Sequence, residues 1–158
     1  MGRESKLLRV LGLVAAAILS AANAWSAVRL ITGLVDGSLG GSAEQLLVSG
    51  AVIWITNMIV FGVWYWEVDR GGPVGRANGT EQWPDFMFAQ MASPDLAPPD
   101  WRPAFTDYAY LAFTNGIAFS PTDTMPMTRW AKVAMALQAV LSFSVVVLVV
   151  ARAVNILK

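Results

Sequence analysis

The chain has 158 residues, 56% of them hydrophobic and only 14% charged, with 11 Lys and Arg balancing 11 Asp and Glu. A soluble domain carries about 25% charged residues, and a net charge of zero supplies no basic field for nucleic acid. His and Cys are both absent, which excludes disulfides, thiolate or imidazole metal sites, Cys nucleophiles and His-based triads.

The charges are not spread evenly. A short basic start (Arg3, Lys6 and Arg9 against Glu4) leads into an uncharged run that predicts a first span over residues 10–30. A bilayer core about 30 Å thick needs about 20 helical residues. A basic start followed by an apolar run also fits a secretory signal peptide, with Ala22-Asn23-Ala24 as the small residues for cleavage. The run exceeds the about 7–15 residues of a signal core, and Arg29 closes it as a snorkelling interfacial charge would. Gly12, Ala16, Ser20 and Ala24 recur at every fourth position, a ladder that lets helices approach closely in lipid.

A glycine-rich connection around Asp36 precedes a second predicted span over 46–66. It ends in Trp64-Tyr65-Trp66 just before Glu67, Asp69 and Arg70, which is an interfacial belt signal. Near its middle lies Asn57, sharing one helical face with Gly50, Trp54 and Phe61. An unpaired amide is costly in hydrocarbon, so Asn57 either bonds a neighbouring helix or lines a pathway.

Residues 67–129 form the one long polar region and hold all eight prolines. Proline is excluded from helix interiors, so this segregation supports the span boundaries. The first part reads as irregular loop, turning at Gly71-Gly72-Pro73 and Asn78-Gly79. Its Trp83, Phe86, Met87, Phe88, Met91 and Trp101 either pack on the helices or lie at the headgroups. A short helix is predicted over 105–114, about 15 Å long, enough to enter a bilayer but not to cross it. The last span is predicted over 130–151, entered through Arg129, Trp130 and Lys132, with Gln138 and Ser142 one turn apart on one face. The fold class expected is all-α: a polytopic membrane protein with three transmembrane helices and a short re-entrant segment before the last.

From about residue 45 onward the chain resembles the two-helix pore-loop module of potassium channels. The likeness rests on two spans flanking a short helix and turn, and on AFSPTDTMPMTRWAK at 118–132. There Asp123, Pro126, Thr128 and Arg129 match the second half of the channel pattern. The filter half departs from it: Ser120-Pro121-Thr122 stands where a carbonyl ring needs glycines at positive φ. Such a hairpin would offer side chains instead, from Thr114, Asn115, Ser120, Thr122 and Asp123, with Asn57 and Gln138 as intramembrane polar groups. An Asp ring favours cations; Asp123 also suits a turn or helix cap. The whole chain is also similar to a group of actinobacterial integral membrane proteins of unassigned activity. Those share its WYWE, DRGGP, APP-WRP and FSPTDTMP-TRWAK stretches, and many carry further apolar spans ahead of the first one here.

The bacterial plasma membrane is the implied location and the lipid bilayer the implied partner, with no cofactor. Counting Lys and Arg places the N-terminus and long loop in the cytoplasm, whereas the channel module would put the hairpin outside. Two functions compete: a filter-less pore-loop protein that conducts or binds ions as a homo-oligomer, or a structural or accessory subunit of a membrane complex. Enzymatic activity would have to come from acids such as Asp85, Asp107 or Asp123, whose spacing shows no dyad.

Overall fold

A computed structural model describes residues 3–38, 42–79, 81–118 and 123–156. Among the described residues, six α-helices and two short strands that pair with each other follow in order: α1 Arg3–Val35, α2 Ala43–Val68, α3 Gly72–Asn78, β1 Phe86–Met87, α4 Ala89–Ala92, α5 Phe105–Ala118, β2 Met125–Pro126 and α6 Arg129–Ile156. Stretches within α1, α2 and α6 are long and apolar enough to cross a membrane. The molecule is an all-α polytopic membrane protein, with the shorter α5 packed against α2 and α6.

Each long helix outruns its predicted span at both ends. Hydropathy falls where charge returns, but backbone hydrogen bonding continues until something stops it. At the end of α1 the stop is Gly37, at φ 74°. The start of α2 is a capping box: the Ser42 hydroxyl accepts from Gln45 N–H, and the Gln45 side chain accepts from Ser42 N–H. α2 ends at three successive left-handed residues, Arg70 (φ 49°), Gly71 (φ 74°) and Gly72 (φ 82°). This sharp reversal starts α3, where the sequence reads as irregular loop; Pro73 sits in the first turn, where its missing N–H costs nothing.

Gly72 is the tightest point of that reversal. A Cβ there would lie 2.6 Å from the Glu67 carbonyl oxygen, which is backbone and cannot swing away. Left-handed φ adds roughly 1–2 kcal/mol for a residue with a Cβ. Gly72→Ala is therefore expected to destabilise the fold by about 2 kcal/mol, read as an earlier midpoint in denaturant unfolding from detergent micelles. An unchanged midpoint would mean the reversal does not constrain the fold.

α2 is the central helix and packs against α1, α5 and α6. Close approach needs small residues: a Cβ on Gly62 would come 3.3 Å from Ala109 Cα, and one on Gly50 would meet Val149. The α1 ladder is used only in part. Ala16 is buried and Ser20 half-buried, but Ala24 is exposed and Asn23, Ala27 and Leu30 take over. A four-residue repeat advances 400° per step on a 3.6-residue helix, so it drifts off any straight contact line.

α5 begins beside Trp66, whose ring meets Phe105 edge-on at 6.1 Å. Its last turn reaches Met58 and Ser142, both of which approach Gly116. Fourteen residues make it about 21 Å long, one turn longer than predicted. By Met125 the backbone is back at the starting end, paired antiparallel with β1 in the register Phe86↔Pro126 and Met87↔Met125. The loop aromatics mostly pack on the bundle: Phe86 and Phe88 are buried with Tyr65, Tyr108, Leu111, Ala131 and Met135, whereas Trp83 is exposed. A second cluster of Ala27, Leu30, Leu46, Ile53, Val145 and Val149 fills the other end.

Candidate functional site

Two polar layers lie across this bundle. The deeper one joins α2, α5 and α6. Gln138 is fully buried; its Nε2 donates to the Ala112 carbonyl at 2.7 Å. Its Oε1 accepts from the Tyr65 hydroxyl at 2.7 Å and from Asn115 Nδ2 at 2.8 Å. Asn115 Nδ2 also donates to the Met135 carbonyl. One turn further along α6, Asn57 Nδ2 donates to Ser142 Oγ at 2.9 Å and to the Gln138 carbonyl at 3.2 Å. Asn57 Oδ1 is buried without a hydrogen-bond partner. Low dielectric strengthens the bonds that are made and raises the cost of each one missing.

The predicted polar residues divide accordingly. Asn57, Asn115 and Gln138 come together. Thr114 is on the same helix, but its hydroxyl donates back to the Tyr110 and Leu111 carbonyls, the usual local satisfaction of a helical Thr. Asp123 is exposed, with the Thr124 hydroxyl donating to it at 3.4 Å. Ser120 and Thr122 lie outside the described residues.

Tyr65 was expected at the headgroups as part of an aromatic belt. It is instead fully buried, because its position on α2 points the ring at α6 and its hydroxyl finds Gln138.

The second layer, at the end of α2, is organised by Asp69. This fully buried carboxylate accepts through Oδ1 from Asp85 N–H at 2.9 Å and from Phe86 N–H. Oδ2 accepts from the Tyr108 hydroxyl and lies 3.7 Å from Arg70 Nε. Asp85 returns the contact, accepting from Arg70 N–H and from Trp130 Nε1. Burial, then the Asp69 charge, raises the Tyr108 pKa well above that of an ordinary phenol, so Tyr108 stays protonated as the donor. Arg76 crosses the same layer: its Nη1 donates to the Trp66 and Asp69 carbonyls, and its guanidinium lies over the Trp66 ring at 4.2 Å.

This hub was missed at the level of sequence. The signal available was Asp69 directly ahead of Gly71-Gly72-Pro73: an acid at the point where a helix must reverse is placed to hold whatever folds back over it. Chemically the layer is a brace, since both carboxylates hold backbone and ring donors in place. Among the described residues no three Asp or Glu side chains converge in a way that could hold a metal ion.

Comparison with protein families, with characterised proteins and with solved structures finds no match to this chain.

Proposed function

We propose that this chain is a structural or accessory subunit of a membrane assembly, seated in a bacterial plasma membrane. The observation that carries the reading is the inward bonding of Gln138, Asn115 and Thr114 in the deep polar layer. Gln138 bonds α2 and α5 through both ends of its amide, and Asn115 and Thr114 turn into the protein interior. Polar groups satisfied this way brace helices rather than face a water-filled path. The outer face of α1 adds a place for a partner. Val10, Val14, Ala17, Ala21, Ala24 and Val28 are all exposed at alternating four- and three-residue spacing, a seam of small residues that suits another helix in lipid.

A nonselective ion-conducting or ion-binding oligomer is the second reading. It rests on a cleft of about 370 Å³ between α1, α2 and α6, with Ser20, Asn23, Asn57 and Ser144 on its wall. Two measurements separate them. Folded protein in planar bilayers is expected to pass no current across a range of potentials and salts, and a photocrosslinker at Ala21 in native membranes is expected to capture a chain of different sequence. Single-channel currents that change with Asn23→Ala would replace the first reading with the second, and adducts with itself alone would remove the accessory role.

A further inference from the structure

Beyond the subunit role, we propose that the cleft at the end of α2 binds a phosphate-bearing anion, in the form of an anionic lipid headgroup or a free phosphate compound. The cleft has a volume of about 450 Å³, and Trp66, Arg70, Arg76, Trp101 and Arg102 are on its wall with no Asp or Glu among the lining residues. Three guanidinium groups facing one cavity repel each other unless an anion sits among them. Asp69 lies 3.7 Å from Arg70 and, with Glu67, also acts on Arg76; both carboxylates are outside the cleft wall, where only the arginines carry charge.

Two of the three arginines still have unused donors. Arg76 Nη2 is buried and has no hydrogen-bond partner, and Arg70 Nε, likewise without a hydrogen bond, faces Asp69 at 3.7 Å as an ion pair. Buried unpaired donors on a charged group are costly, and a phosphate oxygen would satisfy them. The geometry is also preorganised. Arg76 is pinned through Nη1 to two carbonyls, and its guanidinium carbon lies against both the Trp66 and the Tyr108 ring, at 4.2 and 4.9 Å. Arg70 is held at left-handed φ with its N–H on Asp85. A guanidinium fork held in place suits phosphate oxygens, which it can bond in pairs.

The position favours an amphiphile. The cleft opens where the apolar span gives way to charge, and Trp66, Trp101 and Met91 provide apolar walls beside the arginines. Indole rings settle at headgroup depth, so a lipid could place its phosphate among the arginines and keep its tails along α2.

The test uses the full chain in a neutral detergent, with dioleoyl phosphatidate, dioleoyl phosphatidylcholine and inorganic phosphate as probes. Retained ligand is counted by native mass spectrometry. Phosphatidate is expected to bind saturably at one site, at least tenfold more tightly than phosphatidylcholine. Arg102→Gln, at an exposed position, is expected to keep the fold and to weaken binding about tenfold; Arg76→Gln is expected to abolish it. If Arg76→Gln does not fold, Arg102→Gln alone decides. Inorganic phosphate binding as tightly as phosphatidate, with the same arginine dependence, would assign the site to a soluble phosphate and uphold the anion chemistry. Equal retention of the two lipids with no phosphate binding, or phosphatidate binding unchanged in Arg102→Gln, would overturn the proposal.

Discussion

Asp69→Ala is expected to cost about 4 kcal/mol. The substitution strands four groups at once: the Asp85 and Phe86 N–H groups, the Tyr108 hydroxyl and the Arg70 guanidinium. Three are hydrogen-bond donors left without an acceptor at or beside the core of this end, and the fourth is a charge that loses its counter-ion. The damage should be local in kind. α1, α2 and α6 keep their own helical hydrogen bonds, so far-UV circular dichroism should change little. The loop that folds over α2 should open, and chymotryptic cleavage after Phe88, buried in the folded protein, should accelerate. Asp69→Asn keeps one acceptor oxygen and should lose about half as much. A wild-type unfolding midpoint for Asp69→Ala would show that the loop is held by its aromatic packing alone.

Gln138→Leu is expected to cost about 3 kcal/mol. Three hydrogen bonds end on this side chain, and interhelical bonds within membranes are each worth roughly 0.6–1.7 kcal/mol. The groups left behind differ in their alternatives. Asn115 Nδ2 keeps the Met135 carbonyl, whereas the fully buried Tyr65 hydroxyl has no other acceptor among the described residues. Tyr65→Phe alone should therefore cost about 1 kcal/mol. The double variant Tyr65→Phe/Gln138→Leu should cost clearly less than the sum, because both partners of that bond are then apolar. Unfolding in mixed detergent micelles across this cycle reads the coupling directly. Strict additivity would mean that Tyr65 and Gln138 do not share the bond that joins α2 to α6.

These effects sit on different sides of what the sequence discloses. Gln138, Ser142 and Asn57 could be picked out because a polar residue inside a twenty-residue apolar run stands out against hydrocarbon. Their helical spacing even put Gln138 and Ser142 on one face. Asp69 could not be picked out in the same way. It lies among Glu67, Arg70 and other charges at a span end, where acids are ordinary and usually solvated. Its burial depends on Phe86, reached by a loop, and on Tyr108, some forty positions on; neither contact leaves a local pattern.

The α1 ladder shows the opposite failure. Its four-residue rhythm is visible in the chain, but which of its members meet α2 depends on helix phase and crossing, and Ala24 turns outward while Asn23 turns in. Tyr65 makes the same point: an aromatic triplet at a span end marks the interface, yet only the direction of each residue around α2 decides which ring faces lipid and which meets Gln138.

By itself, the sequence determined that the chain is all-α, that three of its stretches are long and apolar enough to cross a membrane, and that a short helix precedes the last of them. These follow from hydropathy, from proline segregation and from the length a helix needs to cross hydrocarbon, all of which are local properties. The tertiary structure alone decided that the loop is anchored by Asp69, that Asn115 and Gln138 bond each other inside the bundle, and that Arg70, Arg76 and Arg102 converge on one cleft. Each of those joins residues far apart in the chain, and their energies exist only once the helices have packed and water has been excluded between them.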